Sequence, residues 1–471
     1  MTNHQPAPTP DRRTFLKSSA GMGGALLIGA PWAPAWGAVP MLTVGSRTIE
    51  VNKKAAKVFS VLGHNGKPGI VEQEGARFAG GLLNESGEPL QMHWHGQIKA
   101  PAEQDRARPG GGMLGLGLTD IHDFELTPGT HWMHAHQLSE QQLLAAPMIA
   151  REKDAGDVQD VVMMLHDFAF RSPQEILAEL GGSGAHGGHG SGSKAPANGE
   201  AMRMTHANDV RYDAFLANDR TLDDPEVVGI EKGGRVRLRI INGGTATAFF
   251  ITTPGLRSRC IAVDGSSCQP AEQTAYPLAP GQRIDLLVEI PQQGGAFPIL
   301  AQVEAERFVT GIVLTTAGAS VTKLTALSET PQGMVALEFE SQLLATRPLS
   351  TKQPDKAFTL NLGEGPGYRW TINNRSHGEH QPLDVRQGER VEMTFVNPTT
   401  MMHPMHLHGH HFQVVAVSGQ RFSGAVRDTI IVPRKVPVTI AFDANHKGAW
   451  FLHCHHLYHM ATGMMTEVRV G

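Results

Sequence analysis

The stretch Trp450-Phe451-Leu452-His453-Cys454-His455-His456-Leu457-Tyr458-His459-Met460-Ala461-Thr462-Gly463-Met464 sets a cysteine between two histidines. In a β-strand, side chains at i and i+2 share one face and the residue between them takes the other. His453 and His455 therefore aim two imidazoles at one point, while Cys454 carries its sulfur to the opposite side. The same spacing recurs in His93-Trp94-His95-Gly96, in Trp132-Met133-His134-Ala135-His136 and in His406-Leu407-His408-Gly409. One such pair is weak, because surface histidines are common and buried ones are often only hydrogen-bonded. Four pairs offer eight imidazoles, more than one metal needs, and read as a multinuclear metal cluster.

Alternation elsewhere in the chain agrees with strands. Arg235-Val236-Arg237-Leu238-Arg239-Ile240 and Arg390-Val391-Glu392-Met393-Thr394-Phe395 both read as half-buried strands. With 53 Gly, 30 Pro, 6% aromatic and 18% charged residues, the composition suits many short strands joined by turns. A length of 471 residues exceeds one ordinary core. An internal repeat supplies the division: Arg77 leads to Asn84, Arg235 to Asn242 and Arg390 to Asn397, always seven residues on, with copies 158 and 155 residues apart. Three β-sandwich domains follow, spanning 39–155, 156–325 and 326–471. The first and third hold the histidine pairs. The middle one has none and reads as a spacer.

Cys454 narrows the metal. Imidazole suits copper, zinc, iron and nickel, but two histidines, a thiolate and a weak axial methionine make the trigonal site of blue copper proteins. His459 and Met464 follow Cys454 within ten residues, and His403 lies just before the His406/His408 pair, so the residues for such a site are present. The thiolate would then hold one copper while its neighbours on either side hold the cluster, a few covalent bonds away.

The remaining signals concern compartment and partners. Asp11-Arg12-Arg13-Thr14-Phe15-Leu16-Lys17 precedes a weakly hydrophobic Gly/Ala-rich run, so residues 1–38 read as a twin-arginine export signal and the protein as periplasmic. Asp11 stands where Ser or Thr is more usual, and the run is too short and glycine-rich for a membrane anchor. A net charge of −4 and a pI near 6.7 give no basic character to attract nucleic acid or anionic membrane. Cys260 and Cys268 flank Asp264-Gly265-Ser266-Ser267 and read equally as a hairpin disulfide or as two small apolar residues. The Gly/Ser/Ala run 181–199, with His186 and His189, reads as a flexible loop. Met202, Met204 and His206 nearby give it copper collection as an alternative role.

Through these histidine motifs, and through His403-Pro404-Met405-His406-Leu407-His408-Gly409 and His453-Cys454-His455-His456-Leu457-Tyr458-His459 through Met464, the chain resembles the three-domain bacterial multicopper oxidases, the laccase and cuprous oxidase group. The resemblance covers essentially the whole chain after residue 38. It implies an all-β fold of three cupredoxin-like Greek-key β-sandwich domains and four copper ions. By position, type 1 copper falls to His403, Cys454, His459 and Met464, with Met465 next if the register slips. Type 2 copper falls to His93 and His406, and the type 3 pair to His95, His134, His136, His408, His453 and His455. His131, His410, His411 and His456 have no ligand role in the family and are expected beside the ligands or at the surface. Asp105 matches the family's acid after the first His-x-His-Gly motif, offset by one residue, and is expected to supply protons. Met460 departs from the glutamate that many bacterial members carry there, and methionine relays no proton.

The implied activity is one-electron oxidation of a small reducing substrate, such as a phenol, an aromatic amine or Cu(I), coupled to reduction of dioxygen to water by a monomeric enzyme. Met401, Met402, Met405 and Met460 flank the proposed type 1 ligands and read either as packing or as soft ligands for Cu(I). Copper nitrite reduction is disfavoured because all four histidine pairs are present. Copper sequestration is the non-catalytic alternative.

Overall fold

Three successive stretches of chain each fold into a pair of β-sheets in the computed structural model, which describes residues 41–182 and 207–471. The proposed export signal 1–38 lies outside the described residues, as do His186, His189, Met202, Met204 and His206. In the first stretch, Lys54–Leu62, Met41–Val51, Arg77–Asn84 and Thr119–Glu125 form one four-stranded sheet, and Ile70–Gln73, Ala145–Arg151, Gly129–Ala135 and Met92–His95 form the other. The middle stretch, from Gln159 to Thr316, gives a six-stranded and a five-stranded sheet. The third gives a seven-stranded sheet and a five-stranded sheet ordered Leu383–Val385, Met465–Val470, Gly448–Cys454, His403–Leu407, Thr429–Val432. Three main apolar cores result, represented by Leu82 and Phe124, by Leu238 and Phe249, and by Leu360 and Phe395, with Phe451 and Leu457 of the third stretch packing into the core of the middle one. No described helix is long and apolar enough to cross a membrane.

The repeat seen in sequence marks the same place in each pair of sheets. Arg77–Asn84 runs parallel to Met41–Val51, Arg235–Asn242 to Gln159–Phe168, and Arg390–Val396 to Lys356–Gly365. At the end of each strand the asparagine is buried and ties a turn together. Asn84 Nδ2 donates to the carbonyls of Glu88 and Leu114 at 2.8 and 2.9 Å, Asn242 Nδ2 to Thr247 and Leu278 at 2.9 Å each, and Asn397 Nδ2 to Met401 and Val432 at 2.7 and 2.8 Å. Each Oδ1 accepts the backbone N–H two residues on. Asparagine suits the position because it carries two donors and an acceptor, which together tie two backbone carbonyls and one backbone N–H at the strand end.

One strand departs from expectation. Arg235–Asn242 is buried on both faces beyond its first residue, not half-buried. Arg237 and Arg239 meet Asp285 and Glu152, and Arg239 also meets Asp160, so the face expected in solvent is instead a paired layer packed against Gly129–Ala135. Arg390–Val396 does alternate as read.

Candidate metal centres

Two hairpin-like pairings position the histidines. Met92–His95 lies antiparallel to Gly129–Ala135 with His93 opposite His134, and His403–Leu407 lies antiparallel to Gly448–Cys454 with His406 opposite His453. The second member of three pairs, His136, His408 and His455, follows just past its strand. The eight imidazoles converge between the first and third stretches and are buried, none more than 6% exposed.

Their nitrogens reveal what the pocket is built to hold. Nδ1–H of His406, His408 and His453 donates to the carbonyls of Asp428, Ala107 and Cys454 at 2.8, 3.0 and 2.9 Å. His134 Nδ1 is likewise 3.0 Å from the Ala135 carbonyl and 3.2 Å from Glu140 Oε2, and His93 Nδ1 is 2.8 Å from Asp105 Oδ2. A carbonyl only accepts, so Nε2 of these rings is left as a bare lone pair. Those lone pairs point at one another, His93 to His406 at 3.1 Å and His408 to His453 at 3.0 Å, and His136 Nε2 joins the group 3.3 Å from His453 Nε2. His455 Nε2 is buried with no partner. Acceptor facing acceptor is repulsive unless a cation sits between them, so the donor set fits bound metal ions. Burial, reinforced by the neighbouring rings, holds His93, His95, His136, His406, His408 and His455 well below the usual imidazole range, and His453 at about 3. These seven rings are therefore neutral donors at ordinary pH.

Glycine in the His-x-His-Gly motifs has a steric reason. Gly96 has φ +83° and a Cβ there would lie 2.2 Å from His131 Nδ1. Gly409 has φ +68° and a Cβ would lie 2.4 Å from the Trp450 ring. Both positions require a left-handed backbone and close approach.

Across the strand, Cys454 Sγ lies 3.6 Å from His403 Nδ1 and 3.7 Å from His459 Nδ1, with those two nitrogens 3.2 Å apart. Their outer nitrogens are engaged: His403 Nε2 by Thr399 Oγ1 at 2.8 Å and His459 Nε2 by Asp209 Oδ2 at 3.2 Å. That arrangement leaves both Nδ1 atoms facing the sulfur. Burial pushes the Cys454 thiol up, and the His456 N–H donating to Sγ at 3.4 Å opposes this. Met464 is fully buried, and its carbonyl pairs with Cys454 N–H while its N–H pairs with the His459 carbonyl. Trp370 stacks on His459 at 3.8 Å.

The structure decides between several alternatives left open by the sequence and corrects one expectation, that of the middle stretch as a spacer. Cys260 and Cys268 are free, with sulfurs 3.8 Å apart, because a bulge in the hairpin sets Cys260 opposite Ala271. His131, His410 and His456 are buried and His411 is nearly so; none is a surface residue. His456 even lies in the group formed by His403, Cys454 and His459. Met401, Met402, Met405 and Met460 are all below 10% exposure and pack in the cores, which favours the packing reading. The middle stretch is more than a spacer, for it contributes Asp209 to His459 and Arg283 to the network around His95.

Asp105 stands where expected, 4% exposed beside His93, and burial lifts its carboxyl to about 8. Sequence reasoning missed Asp428, whose Oδ1 lies 3.1 Å from His95 Nε2, and Glu140 beside His134. Glu140 was within reach of it, an acid four residues after the Trp132–His136 motif, on a turn packed against the helix that carries Met460. Asp428 had no spacing signal, since it lies where the chain crosses from one sheet of the third stretch to the other, a place fixed only by the fold.

The β-sandwich fold and the converging imidazoles beside a thiol define a copper-dependent oxidoreductase. Residues 186–322 and 350–471 match the family described as multicopper oxidase. The chain is 29% identical over 397 residues to multicopper oxidase MmcO of Mycobacterium tuberculosis, covering 82% of this chain and 78% of that one. It is 24% identical over 589 residues to a copper resistance protein A homolog of Pseudomonas syringae pv. tomato, covering 98% and 99%. Among solved structures, the laccase from Botrytis aclada aligns with a TM-score of 0.75 at 21% identity, covering 91% of this chain and 87% of that one. The chain belongs to the multicopper oxidase family, and it is an oxidoreductase with copper cofactors.

Proposed function

We propose that the protein is an exported four-copper oxidase that couples one-electron oxidation of a small reducing substrate to reduction of dioxygen to water. His403, Cys454, His459 and Met464 would hold type 1 copper, His93 and His406 type 2, and His95, His134, His136, His408, His453 and His455 the type 3 pair. The observation that carries the reading is the set of bare imidazole nitrogens facing one another at 3.0–3.1 Å, one residue from a buried thiol. When bound, copper supplies reversible one-electron chemistry at the sulfur and oxygen binding at the cluster. The chain supplies the rest. Cys454 joins the two sites covalently through His453 and His455. The apolar wall of Trp370 and Met464 keeps water from the thiol site. Asp105 is paired with His93 Nδ1 and would hold or pass protons at that edge, with a carboxyl that burial lifts to about 8.

Phenols, aromatic amines and Cu(I) are the proposed donors, received near His459. A role in copper tolerance is the second reading. Relatives named copper resistance protein A, which align over 98% of the chain, favour it. Export through the twin-arginine machinery to the periplasm, and a monomeric state, complete the proposal.

The deciding experiment loads the protein with copper and records visible spectrum, copper content and oxygen uptake. An intense blue band, about four coppers and oxygen uptake with a phenol or Cu(I) are expected. A colourless protein, or one active only with nitrite, overturns the reading. A loaded protein that consumes no oxygen leaves copper sequestration as its role.

A further inference from the structure

Arg283 begins the strand Arg283–Glu289 in the middle stretch and is fully buried. A guanidinium has five N–H groups, and here all five are used. Nε donates to the Thr130 carbonyl at 3.1 Å. Nη1 donates to the Gly281 carbonyl at 2.9 Å and to Asp428 Oδ1 at 2.7 Å. Nη2 donates to Asp428 Oδ2 and to His131 Nδ1, the latter at 3.2 Å. The partners come from all three sheet pairs: Thr130 and His131 from the first, Gly281 from the middle, and Asp428 from the third.

Asp428 is the link to the histidines. Its Oδ1 is 3.1 Å from His95 Nε2, and its backbone carbonyl accepts from His406 Nδ1 at 2.8 Å. His95 thus carries its proton on Nε2 and turns Nδ1 inward, 3.4 Å from His134 Nε2. That is the reverse of His134, His406, His408 and His453, which turn Nε2 inward. The reversed ring needs an acceptor at Nε2, and a carboxylate at this depth needs a cation.

We propose that Arg283 is a positioning residue of the histidine cluster: it fixes the plane of Asp428, and Asp428 selects the tautomer and orientation of His95. The proposal rests on the reading of the eight histidines as a copper cluster. It also assigns the middle stretch, which holds none of the proposed ligands, a part in assembling the oxygen-reducing site. Bidentate pairing is what lysine cannot reproduce, because a single ammonium offers no fork.

The test uses copper-loaded full-length protein, with copper retention against a chelator, blue absorption at Cys454 and thermal midpoint as readouts. Unaltered protein holding about four coppers is the reference; far fewer, with no oxygen uptake, refutes the cluster reading itself and this inference with it. Arg283→Met is expected to weaken copper retention at the histidine cluster by roughly 10 to 100 fold, the usual effect of losing an outer partner of a ligand. The blue band, built on the other face of the strand, keeps its intensity. Arg283→Lys falls between the two. Asp428→Asn, which keeps the shape and removes the charge, shows the same selective loss, and the double variant loses no more than the worse single one. Cluster copper held by Arg283→Met as tightly as by unaltered protein overturns the inference, as does a parallel loss of the blue band and the thermal midpoint. Should Arg283→Met fail to fold, Asp428→Asn decides by the same readouts.

Discussion

Replacing Gly96 with alanine separates two strains that act at one atom. The residue sits at φ +83°, and an added Cβ would lie 2.2 Å from His131 Nδ1, 2.7 Å from Arg283 Nη2 and 2.9 Å from Asp428 Oδ2. A left-handed backbone costs a residue with a β-carbon about 1–2 kcal/mol. Overpacking a filled interior costs about 1–3 kcal/mol more. None of the three neighbours is a loose end that can swing away: all are buried, and the Arg283 donors are all engaged. Gly110 supplies the control, with φ +72° and nothing within 4 Å of its added Cβ. It carries the backbone strain without the crowding. Urea titration of the copper-free protein should therefore show Gly96→Ala less stable than Gly110→Ala by about 1–3 kcal/mol. Copper content after loading should fall only in Gly96→Ala, because His131, Arg283 and Asp428 shift together. Stabilities within about 0.5 kcal/mol of each other, with equal copper content, would refute the claim that the glycine of this motif is required by close packing.

Asp105→Asn should slow oxygen uptake by about a hundredfold, the lower range for losing a general acid, with full copper content; unchanged steady-state uptake removes Asp105 from the proton route. Cys454→Ser should abolish the blue band and donor-driven oxygen uptake while copper remains at the histidine cluster, read by metal analysis and spectroscopy. Glu304 tests linkage away from the metal sites. It is 3% exposed, accepts from Val335 N–H at 2.6 Å, and burial lifts its carboxyl from 4.5 to about 7. Because the folded pKa exceeds the unfolded one, its favourable contribution is full below about pH 4.5 and is lost as pH rises through 7. Glu304→Gln should thus stabilise the protein at pH 8 by on the order of 3 kcal/mol relative to its effect at pH 4, measured by denaturant titration. Equal effects at the two pH values would contradict the burial.

The proposed ligands were legible because strand geometry and metal chemistry both act over short sequence distances. A two-residue period puts His93 with His95 and His453 with His455, and no tertiary information is needed to see it. The Arg-to-Asn repeat was legible because strand and asparagine are contiguous in sequence, although one bond of each asparagine reaches a carbonyl 30 to 36 residues away. What stayed hidden acts across the fold. Asp428 reaches His95 from 333 residues away, and Arg283 reaches Asp428 from another sheet pair altogether. The alternation of Arg235–Asn242 was correctly seen but wrongly solvated, because the strand that covers its arginine face belongs to the first stretch. Cys260 and Cys268 lie close in sequence and in space, yet a single bulge keeps them out of register. Two extra residues in one strand leave no sign in a spacing rule.

The eight imidazoles divide evenly, four from the first stretch and four from the third, along the seam where those stretches meet. Metal ions bound there would act as rivets as well as reagents. The apolar cores are built without them, which would let the chain fold first and be loaded afterwards. Without a cation the facing nitrogens would oppose close contact across the seam, and bound copper would turn the same contacts into bonds that hold it together. Copper binding should therefore stiffen the joint between the two outer stretches more than either sandwich. A chelator should loosen the molecule there first, detectable as faster hydrogen exchange at Met92–His95 and His403–Leu407 while Leu82 and Phe395 stay protected.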